Sequence, residues 1–220
     1  GLASGGVERN QAGARRAVAV RDREFAGRFV AGDIGPCCQI VRPMGSAEPD
    51  ALRVTFSEQA RALVAGGVDL LNIETMFDLT EATIAVEEAV AAAGGRPVLA
   101  NMAFKPAAKG FRTMMGVTPE QAVAALTAAG ADLVGCNCEI SCEPMAALVP
   151  ILGELTGGAT CAQPNAGQPR LEAGVTVYDE TPEHFAAVVA TYPAMGAAIV
   201  GGCCGTPPAS IAALAAALGR

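Results

Sequence analysis

The chain has 220 residues, 51% of them hydrophobic and only 17% charged, enough apolar side chain for one substantial core. Its 15 Lys and Arg against 22 Asp and Glu leave a formal net charge of −7. With no basic cluster, that balance argues against a nucleic-acid partner or an anionic membrane surface. No run of about 18 apolar residues occurs, so no transmembrane helix is expected. Gly1-Leu2-Ala3-Ser4-Gly5-Gly6 lacks the basic and then apolar regions of a signal peptide.

Short apolar runs alternate with longer alanine-rich stretches. Glu8 to about Phe25 reads as helix and Arg28–Asp33 as strand. Gly35 to Asp50 is irregular and reads as a loop over the strand ends. Ser57–Ala65 reads as helix and Val68–Glu74 as strand, then Leu79–Ala93 as helix and Pro97–Met102 as strand. Phe111–Gly116 reads as a mobile loop. Pro119–Ala129 reads as helix, Asp132–Cys136 as strand, Pro144–Leu155 as helix and Ala159–Gln163 as strand. Pro182–Ala190 is a helix, Ala197–Gly201 a strand and Pro208–Leu218 the last helix. Thr118-Pro119-Glu120 and Thr181-Pro182-Glu183 each set a capping hydroxyl before a proline at the first helical position. Gly66-Gly67, Gly94-Gly95 and Gly130 supply helix ends.

Strands that follow helices and are apolar throughout imply a parallel sheet buried on both faces. Six strands fit an open doubly wound sheet, whereas a (β/α)8 barrel needs two more. Either fold gathers ligands at the carboxyl ends of its strands. There stand Asp33, Glu74, Asn101, Asn137-Cys138, Asn165 and Cys203-Cys204.

The eight cysteines are Cys37, Cys38, Cys136, Cys138, Cys142, Cys161, Cys203 and Cys204. Two vicinal pairs do not suit a disulfide framework. Neighbouring Cα atoms lie about 3.8 Å apart, below the roughly 4.4–6.8 Å that a bridge spans. Free or metal-bound thiols in a reducing cytoplasm are expected instead. Cys138 closes Gly135-Cys136-Asn137-Cys138, and Cys203 and Cys204 lie in Gly201-Gly202-Cys203-Cys204-Gly205-Thr206. If the three thiols converge, they make a three-sulfur metal site with one position open, suited to ionising a thiol substrate. The other reading of the same residues is three small buried hydrophobes. Cys136 is expected to face away from Cys138 into the core, and Cys142 and Cys161 to pack there too. Cys37-Cys38 is either a second thiol site or a plain loop. Glu74 suits an ammonium ligand, a base or a helix cap. Asn165 is a turn former or a substrate ligand. His184, the only histidine, and Arg112 read as surface residues.

Together these segments resemble the homocysteine S-methyltransferase family, which includes the homocysteine-binding module of cobalamin-dependent methionine synthase and betaine–homocysteine methyltransferase. The resemblance rests on Val30–Pro36, Gly67–Phe77 with Ile73-Glu74-Thr75, Gly135–Cys138, Pro164–Gly167 with Tyr178–Glu183, and Gly201–Thr206. It implies a (β/α)8 TIM barrel with Zn²⁺ held by Cys138, Cys203 and Cys204. It implies homocysteine on that metal, with Glu74 at the amino group, and Asn137, in the Cys138 motif, is counted with Glu74 as a substrate-binding residue. The zinc-bound thiolate would take a methyl group to give methionine. The Pro-Asn-Ala-Gly and Tyr-Asp-Glu-Thr-Pro-Glu segments look more like the cobalamin-dependent branch, so a methylated corrinoid (methylcobalamin) on a separate protein is the expected donor. The family's first two strands have no counterpart here. Residues 1–220 are thus expected to form one N-terminally incomplete barrel holding the third to eighth strands, completed by a missing segment or a further chain. An oligomer is compatible with this. A non-catalytic zinc-binding subunit, another thiol acceptor, or a sulfonium or betaine donor are the alternatives.

Overall fold

The computed structural model describes residues 5–220. Gly1-Leu2-Ala3-Ser4, part of the segment read for a signal peptide, lie outside the described residues. Six strands form one sheet: β1 (Ala31–Ile34), β2 (Leu70–Met76), β3 (Val98–Met102), β4 (Leu133–Ser141), β5 (Thr160–Asn165) and β6 (Ala197–Val200). They neighbour one another in chain order, and β1–β2, β4–β5 and β5–β6 pair in parallel. The helices are α1 (Gly6–Glu24), α2 (Pro49–Ala65), α3 (Leu79–Ala93), α4 (Pro119–Ala128), α5 (Cys142–Leu155), α6 (Pro182–Val189) and α7 (Pro208–Ala217). A helix between successive strands that lie side by side is the repeating unit of a TIM barrel, here present in part.

The chain forms two compact units, one running to Ala100 and including Ala125–Asp132, the other made of Asn101–Ala124 and Leu133–Arg220. In the first, Ile34, Leu71 and Ile73 from the strands are fully buried with Phe56 of α2 and Ala85 and Val86 of α3. α2 lies close on β1 because Gly32 has no side chain: a Cβ there would stand 3.1 Å from Leu63. α1 approaches α2 at Gly66, where a Cβ would stand 2.4 Å from that of Ala14. In the second unit Met145, Leu148 and Leu152 of α5 are buried with Phe185 and Val189 of α6 and with Tyr192. The Tyr192 hydroxyl donates to the Cys142 carbonyl at 2.5 Å.

The strand starts share a device. In Gly67-Val68-Asp69-Leu70 and Gly130-Ala131-Asp132-Leu133 a left-handed glycine turns the chain out of a helix. The aspartate then accepts a backbone N–H from a neighbouring strand or its entry: Val30 to Asp69 at 2.7 Å, Val98 to Asp132 at 2.8 Å. Asp69 also takes a hydrogen bond from Arg21.

Several boundaries differ from those read in the sequence. α2 starts at Pro49, not Ser57. Pro49 sits in the first helical turn, where its missing N–H costs nothing, so the loop read through Asp50 ends earlier. β4 runs past Cys136 to Ser141. Phe111–Arg112, read as part of a mobile loop, pairs antiparallel with Lys105–Pro106, and Arg170–Glu172 pairs with Val175–Val177. Strands of two or three residues carry too little periodicity to be legible. Among the described residues no helix is long and apolar enough to cross a membrane.

The Val30 N–H, followed by Arg21, holds the Asp69 carboxyl below its ordinary value. A depressed carboxyl stabilises the fold above its unfolded-state pKa and stops doing so as pH falls through its folded-state value. Asp69→Asn is therefore expected to lose about 1 kcal/mol near neutral pH. The difference from the parent should shrink as denaturation is repeated at increasingly acid pH.

Candidate metal centre

β4 keeps regular register with β5 up to Asn137, which pairs with Gln163. The next pair is Ser141 with Asn165, so four residues on β4 advance against two on β5. The extra length is taken up where Cys138 and Glu139 both adopt left-handed backbone, at φ 61° and 63°. Two consecutive non-glycine residues in that region are costly, and such strain persists only where surrounding structure fixes it. The break also explains Cys136. Regular alternation would put residues two apart on the same face, yet Cys136 is fully buried and Cys138 half-buried. The left-handed turn, rather than alternation, separates them.

The second arm follows β6. The Cys203 N–H donates to the Pro164 carbonyl at 2.8 Å, the Cys204 N–H to Asn165 Oδ1 at 3.2 Å, and the Ala166 N–H returns to the Cys204 carbonyl at 3.0 Å. The vicinal pair is thus fastened to the end of β5. Gly205 lies at φ 77°, and a Cβ there would fall 2.2 Å from the ring of Tyr178. Gly202 admits no side chain either, with Thr206 at 2.4 Å from the Cβ position. The glycine-rich setting noted in the sequence is therefore a space requirement as well as a conformational one.

These two arms bring the Cys138, Cys203 and Cys204 sulfurs within 4.8 Å of one another. Cys138 Sγ and Cys204 Sγ are 3.7 Å apart, against roughly 3.8 Å between two sulfurs in a tetrahedral zinc site with Zn–S near 2.3 Å. The donor set and spacing fit a thiophilic cation with room for a further ligand. Asn137 Nδ2 approaches Cys203 Sγ at 3.6 Å, a long amide-to-sulfur hydrogen bond. The Cys203 thiol, the Glu139 N–H, the Cys204 thiol and the Asn165 side chain pull Cys138 down to about 6, against the opposing effect of burial. Donating that proton pushes Cys203 up, and burial pushes Cys204 up. Together these directions favour negative charge at Cys138 over the other two sulfurs.

The other expected residues fall as follows. Glu74 is in the first unit, where Asn72 Nδ2 donates to Glu74 Oε2 at 3.2 Å and to Asp33 Oδ1 at 2.9 Å. Two carboxylates are thus arranged around one amide at the ends of β1 and β2. Desolvation pushes the Asp33 carboxyl up and the Asn72 amide opposes it. The Cys37 N–H donates to buried Glu81 at 2.6 Å, while burial and then Glu81 push the Cys37 thiol to about 11. Cys161 is buried as expected. Arg112 Nη1 donates to the Phe111 carbonyl at 3.0 Å. His184 is more than a solvated surface residue, since it lies between Glu143 and Glu180. Asn165, left open as turn former or ligand, holds both arms together. Tyr178 opens a segment that carries the family resemblance but has no site role in the sequence reading, and nothing in the local sequence marks Glu139.

The homocysteine S-methyltransferase family model matches residues 1–218. Methionine synthase of Mycobacterium tuberculosis is 31% identical over 196 residues, 87% of this chain but 16% of that protein. The Mycobacterium leprae enzyme of the same name is 31% identical over 198 residues, 88% of this chain and 16% of its own length. The chain therefore spans about a sixth of these curated relatives. Among solved structures, the homocysteine methyltransferase MmuM from Escherichia coli superposes with a TM-score of 0.69 in its apo form, at 25% identity, covering 92% of this chain and 68% of that one. Its metallated form gives 0.69 at 26% identity, covering 92% and 65%. With its partial barrel and strand-end cysteines, the chain belongs to the homocysteine S-methyltransferase family.

Proposed function

We propose that this chain binds homocysteine and positions its sulfur to receive a methyl group, giving methionine. The observation that carries this is the convergence of Cys138, Cys203 and Cys204 within 4.8 Å in a chain of this family. Residues 1–220 act in this reading as one barrel-type domain, and eight free thiols suit a reducing cytoplasm.

The three sulfurs would hold Zn²⁺, a reading supported by the metallated form of the Escherichia coli relative. Bound there, zinc would supply the Lewis acidity that keeps a substrate thiol deprotonated at neutral pH. The protein's own groups prepare the site. The Asn137 amide faces a sulfur and so favours negative charge at that point. Asn165 and the β5 backbone fix the Cys203-Cys204 turn, so no conformational search is left for the moment of reaction. Glu74 offers a carboxylate for the ammonium of the amino acid. The substrate sulfur forms the new S–CH₃ bond as the bond from that carbon to the donor breaks, and the electron pair leaves with the donor. The likeness of Pro164–Gly167 and Tyr178–Glu183 to the cobalamin-dependent branch, and the mycobacterial methionine synthases at 31% identity, support a methylated corrinoid protein as donor.

Metal analysis together with homocysteine-dependent methyl transfer from methylcobalamin tests this. Cys203→Ser is expected to lose the zinc of this centre and to lower turnover by about 1,000-fold, the equivalent of several kcal/mol of Lewis-acid stabilisation. Normal turnover in metal-free protein would refute the proposal. Zinc binding with no response to any thiol would instead indicate a non-catalytic zinc-binding subunit. Glu74→Gln should raise KM for homocysteine about tenfold with little change in kcat, the signature of lost ground-state binding. Asn137→Ala should weaken metal affinity by about 10- to 100-fold while leaving all three thiols titratable.

A further inference from the structure

A second group of metal-ligating side chains stands in the second unit, apart from the three-sulfur set. Cys142 and Glu143 open α5. Glu180 precedes the Thr181 cap of α6, and His184 lies in that helix's first turn. One ligand atom from each of the four lies within 4.8 Å of the others. Cys142 Sγ is 3.3 Å from Glu180 Oε2 and 3.5 Å from Glu143 Oε2. His184 Nε2 is 3.1 Å from Glu143 Oε1, and Nδ1 is hydrogen-bonded to Glu180 Oε1. The thiol is buried, whereas the Glu143 and His184 side chains are 56% and 49% exposed, so an ion can enter from solvent.

We propose that Cys142, Glu143, Glu180 and His184 bind a second divalent transition-metal ion of the zinc class. The argument is one of donor chemistry. One thiol, one imidazole and two carboxylates are a borderline-soft mixture that suits zinc and its neighbours and does not suit calcium or magnesium. Two carboxylates converge on one thiol, an arrangement that a cation relieves. The imidazole of His184 is held between the Glu143 and Glu180 carboxylates, so the nitrogen donor already stands beside both oxygen donors.

The ion would act as a clamp. It would join α5 to α6 and to the segment that precedes α6, where the Glu180 N–H donates to the Ala166 carbonyl at 3.3 Å. Two residues earlier, Tyr178 lies against Gly205. Glu180 thus stands two residues from the ring packed at Gly205, beside the Cys203-Cys204 turn. The proposed site shares no ligand with the three-sulfur centre, so each can fail without the other.

The test uses the full chain, stripped of metal with a chelator and titrated with Zn²⁺ and, separately, with Co²⁺, whose absorption reports thiolate ligation. The parent should bind one equivalent beyond the three-sulfur centre. Cys204→Ser should weaken that centre and keep the second equivalent. His184→Gln and Cys142→Ala should each lose the second equivalent and keep the first. Glu143→Gln, a change at a half-exposed side chain, should weaken the second equivalent about tenfold or more with circular dichroism unchanged. The proposal is overturned if the parent binds a single equivalent that Cys204→Ser abolishes. It is equally overturned if His184→Gln and Glu143→Gln, both folded, retain full binding of two equivalents.

Discussion

Sulfurs that share a single proton deficit repel one another as they lose further protons, so a three-thiol cluster needs a backbone that cannot relax away from it. Here the restraint is the left-handed pair Cys138–Glu139, which lets β4 gain length on β5 and turns one sulfur toward the Cys203-Cys204 turn. The Glu139 N–H, in the same kink, favours the charged form of the Cys138 sulfur. Strain and stabilisation of the thiolate thus arise from one local conformation. Asn165 completes the arrangement by holding the Cys204 backbone at the end of the neighbouring strand.

The framework beneath is built from interactions of short reach. Gly67-Val68-Asp69-Leu70 and Gly130-Ala131-Asp132-Leu133 each end a helix, accept a backbone N–H with an aspartate and start a strand. The entry into β6, Gly196-Ala197-Ala198-Ile199, keeps the left-handed glycine and lacks the aspartate. There the register is irregular, shifting between Ala197 and Ile199 against β5. Where the side-chain acceptor is present, it ties a strand's first backbone donor before the ladder begins.

Much of this was legible in the sequence because its causes are local. Thr181-Pro182-Glu183 predicts the start of α6, and Thr181 does cap it, accepting the His184 N–H at 3.2 Å. Leu79–Ala93 was read with the bounds that α3 has, since Asp78 caps one end and Gly94 closes the other. The glycines around Cys203 and Cys204 pointed to a tight turn at a strand end. What stayed hidden depends on contacts distant in the chain. No residue type announces left-handed backbone at Cys138 and Glu139, because neither is a glycine or an asparagine. His184 and Cys142 look like ordinary helix residues until the fold sets them beside Glu143 and Glu180. The short hairpins were missed because two or three residues cannot display a period.

The register change in β4 also sets how this part of the chain tolerates insertions and deletions. Its offset against β5 is two residues, and side chains in a strand alternate with a period of two. Pairing parity is therefore preserved across the kink, and the strand is buried again at Ile140 beyond it. Removing both extra residues would keep the pairing parity but delete the left-handed turn that carries Cys138 to the other two sulfurs. Removing one would invert every side chain from that point to Ser141, so the length of this segment is fixed by strand parity as well as by the turn.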